Sequence, residues 1–320
     1  MGLIEVQAPG MLTTVQDLGR EGFGPLGVSP SGAADAISLR VGNRLVANGE
    51  GAAGLEMTLL GGTFRFPDGA RIALAGSDFG ATLDGEPVEM WTAFKAKPGQ
   101  VLRMGPTRSG ARCYLCVQGG IIVKDFLGSA STHLMSGLGG HEGRALRKGD
   151  VLTSGTGTPA CSLAVVATID ERRLAPRALE RVMPRKVLRV TPGPQSDGFS
   201  AAARKMFYES RYRVAEESNR MGIRLECAAI PVPAGGEMIS EGVSLGAVQV
   251  PEGGKPIILF VEQQTTGGYP KIANVISADF HSLGQLRPRD EVRLQRVSFE
   301  MARKLLIEQE KLLASEGLIA

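Results

Sequence analysis

Pro256-Ile257-Ile258-Leu259-Phe260-Val261 runs directly into Glu262-Gln263-Gln264-Thr265-Thr266-Gly267-Gly268-Tyr269-Pro270-Lys271. The first six residues form an apolar run and read as a buried strand. That strand delivers an unbroken polar and glycine segment, Glu262 to Gly268, to one end of a sheet. Polar groups at a strand end suit binding, because the rigid strand fixes where they point. The Gly267-Gly268 pair permits positive φ and lets a ligand approach backbone N–H groups. Lys271 adds a cation for an anionic substrate. On spacing alone, a strand followed by an ordinary turn accounts for the stretch equally well.

Around this stretch the chain has 320 residues, enough for two domains or one large one. Its 43 glycines, 18 prolines and 5% aromatic content favour many short strands and turns over long helices. Net charge is +3, with 36 basic and 33 acidic residues interspersed, which argues against a nucleic-acid partner. No apolar run approaches the ~20 residues of a membrane span. Met1-Gly2-Leu3-Ile4-Glu5-Val6 lacks the basic and apolar regions of a signal peptide, so a cytoplasmic protein is expected. Gly2 hints at myristoylation, but Val6 stands where Ser or Thr is required. Cys113, Cys116, Cys161 and Cys227 are scattered. Cys113 and Cys116 lie within a strand-like run, whose alternation puts them on opposite faces, so reduced core cysteines are expected rather than a redox or metal pair. His133, His141 and His281 have no metal-ligand spacing, and no metal site is expected.

Leu3 to Gln7 alternates and reads as a strand ending at Pro9-Gly10. Asp17 and Arg20 follow in a polar loop, as a salt-bridged turn or a ligand clamp. Ser31-Gly32-Ala33-Ala34-Asp35 opens a helical stretch through Leu45, with Ala34, Ile37, Val41 and Leu45 at helix spacing. Ser31 either caps that helix or offers its hydroxyl to an anion, and Asp35 suits a first turn. Strands and turns fill 54–152, with Asp84-Gly85 as a hairpin turn. Ser129, Ser131, Thr132 and Arg144 are candidate donors to a phosphate or carboxylate, although their loop is neither a Walker A nor a dinucleotide fingerprint. Residues 170–186 read as a charged linker, 200–209 as a helix, and 298–316 as an amphipathic helix with Phe299, Ala302, Leu306 and Leu313 on one face.

The two halves also share an order of events. Leu55-Glu56 is matched by Leu225-Glu226, the strand over 111–117 by that over 256–261, and Lys148-Gly149-Asp150-Val151-Leu152 by Arg289-Asp290-Glu291-Val292. Two related β-barrels flanking the linker follow from that order.

Five motifs occur in one order: Thr13-Thr14-Val15-Gln16-Asp17-Leu18-Gly19-Arg20, Ser31-Gly32-Ala33-Ala34-Asp35, Gly128-Ser129-Ala130-Ser131-Thr132, Arg220-Met221-Gly222-Ile223-Arg224-Leu225 and Gln264-Thr265-Thr266-Gly267-Gly268-Tyr269-Pro270. Together they resemble the biotin-dependent carboxyltransferase, or allophanate hydrolase subunit 2, family, up to about residue 297. Stand-alone members of that family include the C component of the bacterial ATP-dependent 5-oxoprolinase and the KipA-type proteins. The resemblance implies a mainly β fold with some α: cyclophilin-like barrels over 1–175 and 187–297, then a helix over 298–320. It implies a heteromer with a shorter partner of the same family, the B component, and, in 5-oxoprolinase, a separate A component. The leading expectation is the C component of such an enzyme, opening 5-oxoproline to glutamate with ATP, which another component could hold. One alternative is carboxyl transfer from carboxybiotin to urea or a related amide, with biotin as cofactor. Another is a non-catalytic, KipA-like partner that restrains the B component.

For the leading reaction, an unstrained lactam resists water until its oxygen is phosphorylated, so donors for phosphate and carboxylate and an acid/base group are needed. Glu262 and Asp17 are the candidate acid/base groups. Arg20, Arg220, Arg224 and Lys271 are candidate anion binders. Ser31, Asp35, Ser129, Ser131, Thr132, Gln264, Thr265, Thr266, Gly267, Gly268 and Tyr269 complete the candidate substrate site. The chain departs from the family pattern twice: Glu262 and Asn219 stand where the family usually has Asp. The first moves a carboxylate by one methylene and the second removes a charge.

Overall fold

A computed structural model of the chain describes residues 1–156, 172–233 and 238–320. Cys161 and the first two linker positions, Asp170 and Glu171, fall outside the described residues. The chain divides into two compact units. One comprises Met1–Arg20, Ser31–Met183 and Leu313–Ala320; the other comprises Glu21–Pro30 and Pro184–Leu312.

The first unit carries twelve described strands: β1 (Gly2–Ala8), β2 (Leu12–Gln16), β3 (Gly54–Thr58), β4 (Thr63–Arg65), β5 (Ala70–Gly76), β6 (Thr82–Leu83), β7 (Glu86–Pro87), β8 (Ala93–Ala96), β9 (Val101–Arg103), β10 (Arg112–Val117), β11 (Ile121–Ile122) and β12 (Val151–Ser154). They form a seven-stranded sheet, β11-β12-β1-β4-β9-β6-β7, and a five-stranded sheet, β2-β3-β10-β5-β8. Inward residues of both sheets share one core, in which Ile4, Val6, Phe64 and Leu102 meet Leu55, Met57, Ile72, Leu74 and Leu115. Asp84 (φ 50°) and Gly85 (φ 92°) supply the two left-handed positions of the β6–β7 hairpin, as the Asp-Gly pair predicts.

Strand β10 is buried on both faces. Cys113, Leu115 and Val117 face the shared core. Cys116 instead lies against helix α1 (Ala36–Leu45), with its thiol 3.7 Å from the Leu39 carbonyl oxygen. Gly42 is what lets α1 lie this close, because a Cβ there would stand 2.6 Å from Cys116 Sγ. Asp35, not Ser31, caps α1: its carboxylate accepts from the Ser38 backbone N–H at 3.0 Å. Ser31 sits earlier, at φ 57°, and its buried hydroxyl has no hydrogen-bond partner. Within the linker expected over 170–186, helix α2 (Pro176–Val182) forms, starting on proline and burying Ala178 and Val182.

The second unit holds β13 (Val187–Pro192), helix α3 (Ala201–Glu209), β14 (Tyr212–Val214), β15 (Gly222–Glu226), β16 (Glu241–Gly242), β17 (Ala247–Gln249), β18 (Ile257–Leu259), β19 (Thr266–Gly267), β20 (Lys271–Val275), helix α4 (Phe280–Gly284), β21 (Glu291–Arg296) and all but the last two residues of helix α5 (Phe299–Ala314). Seven strands close into a barrel in the order β13-β20-β17-β18-β15-β14-β21. The ring closes where β13 pairs in parallel with β21, Val187 opposite Arg293. A separate two-stranded ribbon pairs β16 with β19. The C-terminal helix is more exposed than its apolar pattern suggests: Phe299 is 63% exposed, and Leu313 is its one buried residue.

The inferred repeat is visible in hydrogen bonds. In the first unit Gly149 N–H donates to Val6 O and Val6 N–H to Asp150 O, while Asp150 accepts from Arg147 N–H. In the second, Arg289 N–H donates to Val214 O and Val214 N–H to Asp290 O, while Asp290 accepts from Arg287 N–H. Gly149 (φ 93°) and Arg289 (φ 71°) take the same left-handed turn position. The antiparallel pair β3·β10 likewise corresponds to β15·β18.

Candidate functional site

In the barrel unit the stretch after β18 departs from the simple strand-end picture. Glu262 is buried, and its carboxylate pairs with Arg220 at 2.5 Å; the Glu262 N–H also donates to the Arg220 carbonyl at 2.8 Å. Side chain and backbone thus lock the two segments together, and Glu262 serves as a buttress. Lys271 is buried as well, and its ammonium pairs with Glu241. Lys271, and then Gln195, hold the Glu241 carboxyl below the usual carboxylate range. Gln195 spans the same corner, donating to Glu241 at 2.9 Å and accepting from the Lys271 N–H at 3.1 Å.

The glycine pair is needed for close approach rather than for positive φ, which neither residue adopts. A Cβ on Gly267 would stand 2.6 Å from Gln249 Nε2, and one on Gly268 2.8 Å from the Met238 carbonyl. Thr265 and Thr266 belong to the ribbon: the Thr265 carbonyl accepts from Val243 N–H, and Thr266 pairs with Gly242. Asn219 closes a turn, its Oδ1 accepting from Met221 N–H at 2.8 Å and Gly222 N–H at 3.3 Å. An Asp would supply the same acceptor, so the replacement leaves this turn intact.

What remains open is a pocket of about 160 Å³ whose polar lining is Asn219, Arg224, Gln249, Gln264 and Tyr269. Arg224 is exposed, and its guanidinium makes no ion pair or hydrogen bond among the described residues. Ser218 fixes its backbone on both sides, accepting from Arg224 N–H at 3.0 Å and donating to Arg224 O at 3.3 Å. Gln249 is 1% exposed, and its Nε2 has no partner. A buried unpaired amide costs about 1–3 kcal/mol, a cost a bound carbonyl oxygen would relieve. Gln249 escaped the sequence reading, although a glutamine inside Ala247-Val248-Gln249-Val250 is a polar interruption of an apolar strand. A neighbouring pocket of about 400 Å³ shares Arg224 and adds Glu217, Glu226 and Lys255.

The first unit's candidates gather into two hydrogen-bond networks. The Asp17 carboxylate accepts from Gly19 N–H (2.7 Å), Ser129 Oγ (2.7 Å), Ser131 Oγ (2.5 Å) and Ala130 N–H (2.7 Å). Arg20 holds the same loop through the Phe126 and Ser131 carbonyls and lies 5.4 Å from the Phe126 ring centroid. Thr132 Oγ1 donates to Val15 O at 3.0 Å. These groups join two loops, with the serine hydroxyls spent on Asp17 and not left for an external anion. Arg144 is likewise committed, to Asp150 and Glu142. In the second network Tyr114 donates to Glu56 (2.7 Å) and accepts from Asp35 N–H (2.7 Å), while Arg112 lies 3.4 Å from Glu56. No cluster of three or more metal-ligating side chains occurs among the described residues. No described helix is long and apolar enough to cross a membrane.

Residues 26–296 match the model of the carboxyltransferase domain, subdomains A and B. The chain belongs to that family. The matched span contains all five polar pocket residues and begins after Asp17 and Arg20. This carboxyltransferase-domain chain is 36% identical over 292 residues to the C component of the 5-oxoprolinase of Haemophilus influenzae, covering 91% of this chain and 90% of that one. It is also 36% identical over 311 residues to the corresponding 5-oxoprolinase component of Escherichia coli, covering 97% and 96%. Among solved structures it resembles K. lactis urea amidolyase, with a TM-score of 0.89, 30% identity and 99% of this chain covered. It spans 21% of that larger protein.

Proposed function

We propose that this chain is the C component of an ATP-dependent 5-oxoprolinase and binds the lactam substrate in the barrel unit's polar pocket. The observation that carries the reading is Arg224, an exposed guanidinium without a partner, beside the buried unpaired amide of Gln249. A cation and an amide donor in one small cavity suit a molecule bearing both a carboxylate and an amide carbonyl. Arg224 takes the carboxylate. Gln249 and Gln264 take the lactam oxygen and N–H, and Tyr269 closes the rim. The end-to-end match to two relatives named as this 5-oxoprolinase component supports the same substrate.

Among the described residues, no carboxylate and no imidazole lines this pocket. The chain therefore binds and orients, and proton transfer and ATP belong to the A and B components. That division accounts for a chain without a nucleotide-binding loop in an ATP-dependent reaction. Mixing the three components with ATP and 5-oxoproline should release ADP, orthophosphate and glutamate only when this chain is present. Arg224→Gln should raise KM for 5-oxoproline by about tenfold to a hundredfold, the range for losing a charged hydrogen bond. Release that continues without this chain would overturn the proposal.

A second reading is carboxyl transfer to urea or a related amide, favoured by the fold likeness to urea amidolyase over nearly the whole chain. It predicts retention of a biotinylated carrier protein by this chain, which the oxoprolinase reading does not.

A further inference from the structure

A separate cavity of about 330 Å³ lies in the barrel unit, lined by Arg204, Lys205, Tyr208 and Arg296 together with Ser196 and Asp197. It shares no residue with the Arg224 pocket. Arg204 and Tyr208 are four apart on α3 and therefore lie on one helix face. Arg296 ends β21 and so reaches the cavity from a different element. Three cations stand against one carboxylate, Asp197, which is fully exposed and 3.6 Å from Arg204. Arg204 also donates to the Ser196 carbonyl at 3.1 Å. Lys205 and Arg296 make no ion pair among the described residues.

The fourth donor is the most telling. The Tyr208 hydroxyl is buried and has no hydrogen-bond partner. Burial pushes the phenol up, against the opposing charges of Arg296 and Arg204, so it keeps its proton and remains a donor. A buried hydroxyl without an acceptor, beside three cations and one exposed carboxylate, suits an anionic ligand.

We propose that this cavity binds a phosphomonoester-class dianion. Arg204, Lys205 and Tyr208 from α3 and Arg296 from β21 offer two guanidiniums, an ammonium and a phenol hydroxyl to a tetrahedral group with three acceptor oxygens. A planar carboxylate offers two oxygens and leaves donors unused. The cavity volume falls at the lower end of the ~300–1,000 Å³ typical of small-molecule sites, so it has room for a small organic group beyond the phosphate. Among the described residues Tyr208 is its sole aromatic lining residue, which offers no apolar slot for a nucleobase. None of these residues lines the Arg224 pocket, so loss of phosphate binding here and loss of lactam binding there are separately measurable.

The test is calorimetric titration of the full chain with inorganic phosphate, glycerol 3-phosphate and malonate, each up to about 10 mM. Phosphate and glycerol 3-phosphate should bind saturably and malonate at least about tenfold more weakly. Equal affinity for the two phosphates identifies free phosphate as the source; tighter binding of the ester identifies a phosphorylated small molecule. Arg296→Gln should weaken binding about tenfold and Tyr208→Phe about threefold to tenfold, with Arg224→Gln without effect. Circular dichroism checks that each variant is folded. Because Arg296 is exposed and unpaired, its replacement spares the fold. No saturable binding, malonate binding as tight as phosphate, or phosphate binding lost in Arg224→Gln but kept in Arg296→Gln would each overturn the proposal.

Discussion

Glu262→Gln separates a buttress from a catalytic base. The side chains of Arg220 and Glu262 are 5% and 2% exposed and meet at 2.5 Å. Glutamine keeps the shape but takes the Glu262 charge away from the buried guanidinium. Breaking one side of a buried pair costs about 3–5 kcal/mol. At about 3–4 °C per kcal/mol for a domain of this size, Tm should fall by about 9–20 °C. Replacing both residues by methionine removes the charge imbalance along with the pair, and should recover most of the loss. The assay is thermal unfolding followed by circular dichroism, paired with turnover of the assembled enzyme well below the transition. Turnover per folded molecule should persist in Glu262→Gln. A variant with Tm within about 2 °C of the parent but no turnover would refute this reasoning and restore Glu262 as an acid/base group.

Further outcomes follow from other contacts. Arg144, through a bidentate hydrogen bond, holds the Asp150 carboxyl down to about 2, with the Arg147 N–H assisting. A depressed carboxyl contributes stability above its unfolded pKa of about 4 that is lost as pH falls through 2, so Arg144→Met should cost about 1 kcal/mol at pH 7, after allowance for solvent screening, and only a small fraction of that by pH 2; urea midpoints across that range measure it. Burial pushes the Cys113 and Cys116 thiols well above the usual thiol range. Neither should be alkylated in the native protein at pH 8, while the half-buried Cys227 should label before either of them, as peptide mass mapping would show. Gly267→Ala drives a Cβ to 2.6 Å from Gln249 Nε2, so it should lower stability by about 1–3 kcal/mol and, under the proposed lactam-binding role, raise KM for 5-oxoproline, measured by thermal melts and steady-state kinetics.

Local features were legible because they depend on neighbours in sequence. The Asp84-Gly85 turn, the opposite facing of Cys113 and Cys116, and α1 all follow from spacings of a few residues. Even the repeat could be read, since Arg147–Asp150 and Arg287–Asp290 are built from the same short turn. The candidate site was harder, because its polar groups choose distant partners. Ser129 lies 112 residues from the Asp17 it serves, and Glu241 is 30 residues before the Lys271 it neutralises. No periodicity reveals such pairings, so Lys271 reads as a free cation and Ser131 as a free donor. Arg224, Gln264 and Tyr269, by contrast, line an open cavity. Tyr208 and Arg296 gave no signal: their cavity draws one from a helix and the other from a strand nearly ninety residues later.

The barrel's closure has a consequence for how the protein emerges from the ribosome. Val187 to Val190 must pair with Arg293 to Arg296, so the first strand of the ring waits for the last. Until residues beyond 290 have left the exit tunnel, β13 and β14 each lack a neighbour and offer unsatisfied edges to other chains. Such long-range pairing slows folding, and nascent chains are most exposed to aggregation while it is pending. A message truncated shortly before Glu291 should therefore yield insoluble product, whereas a stop just after the last barrel strand leaves the ring able to close.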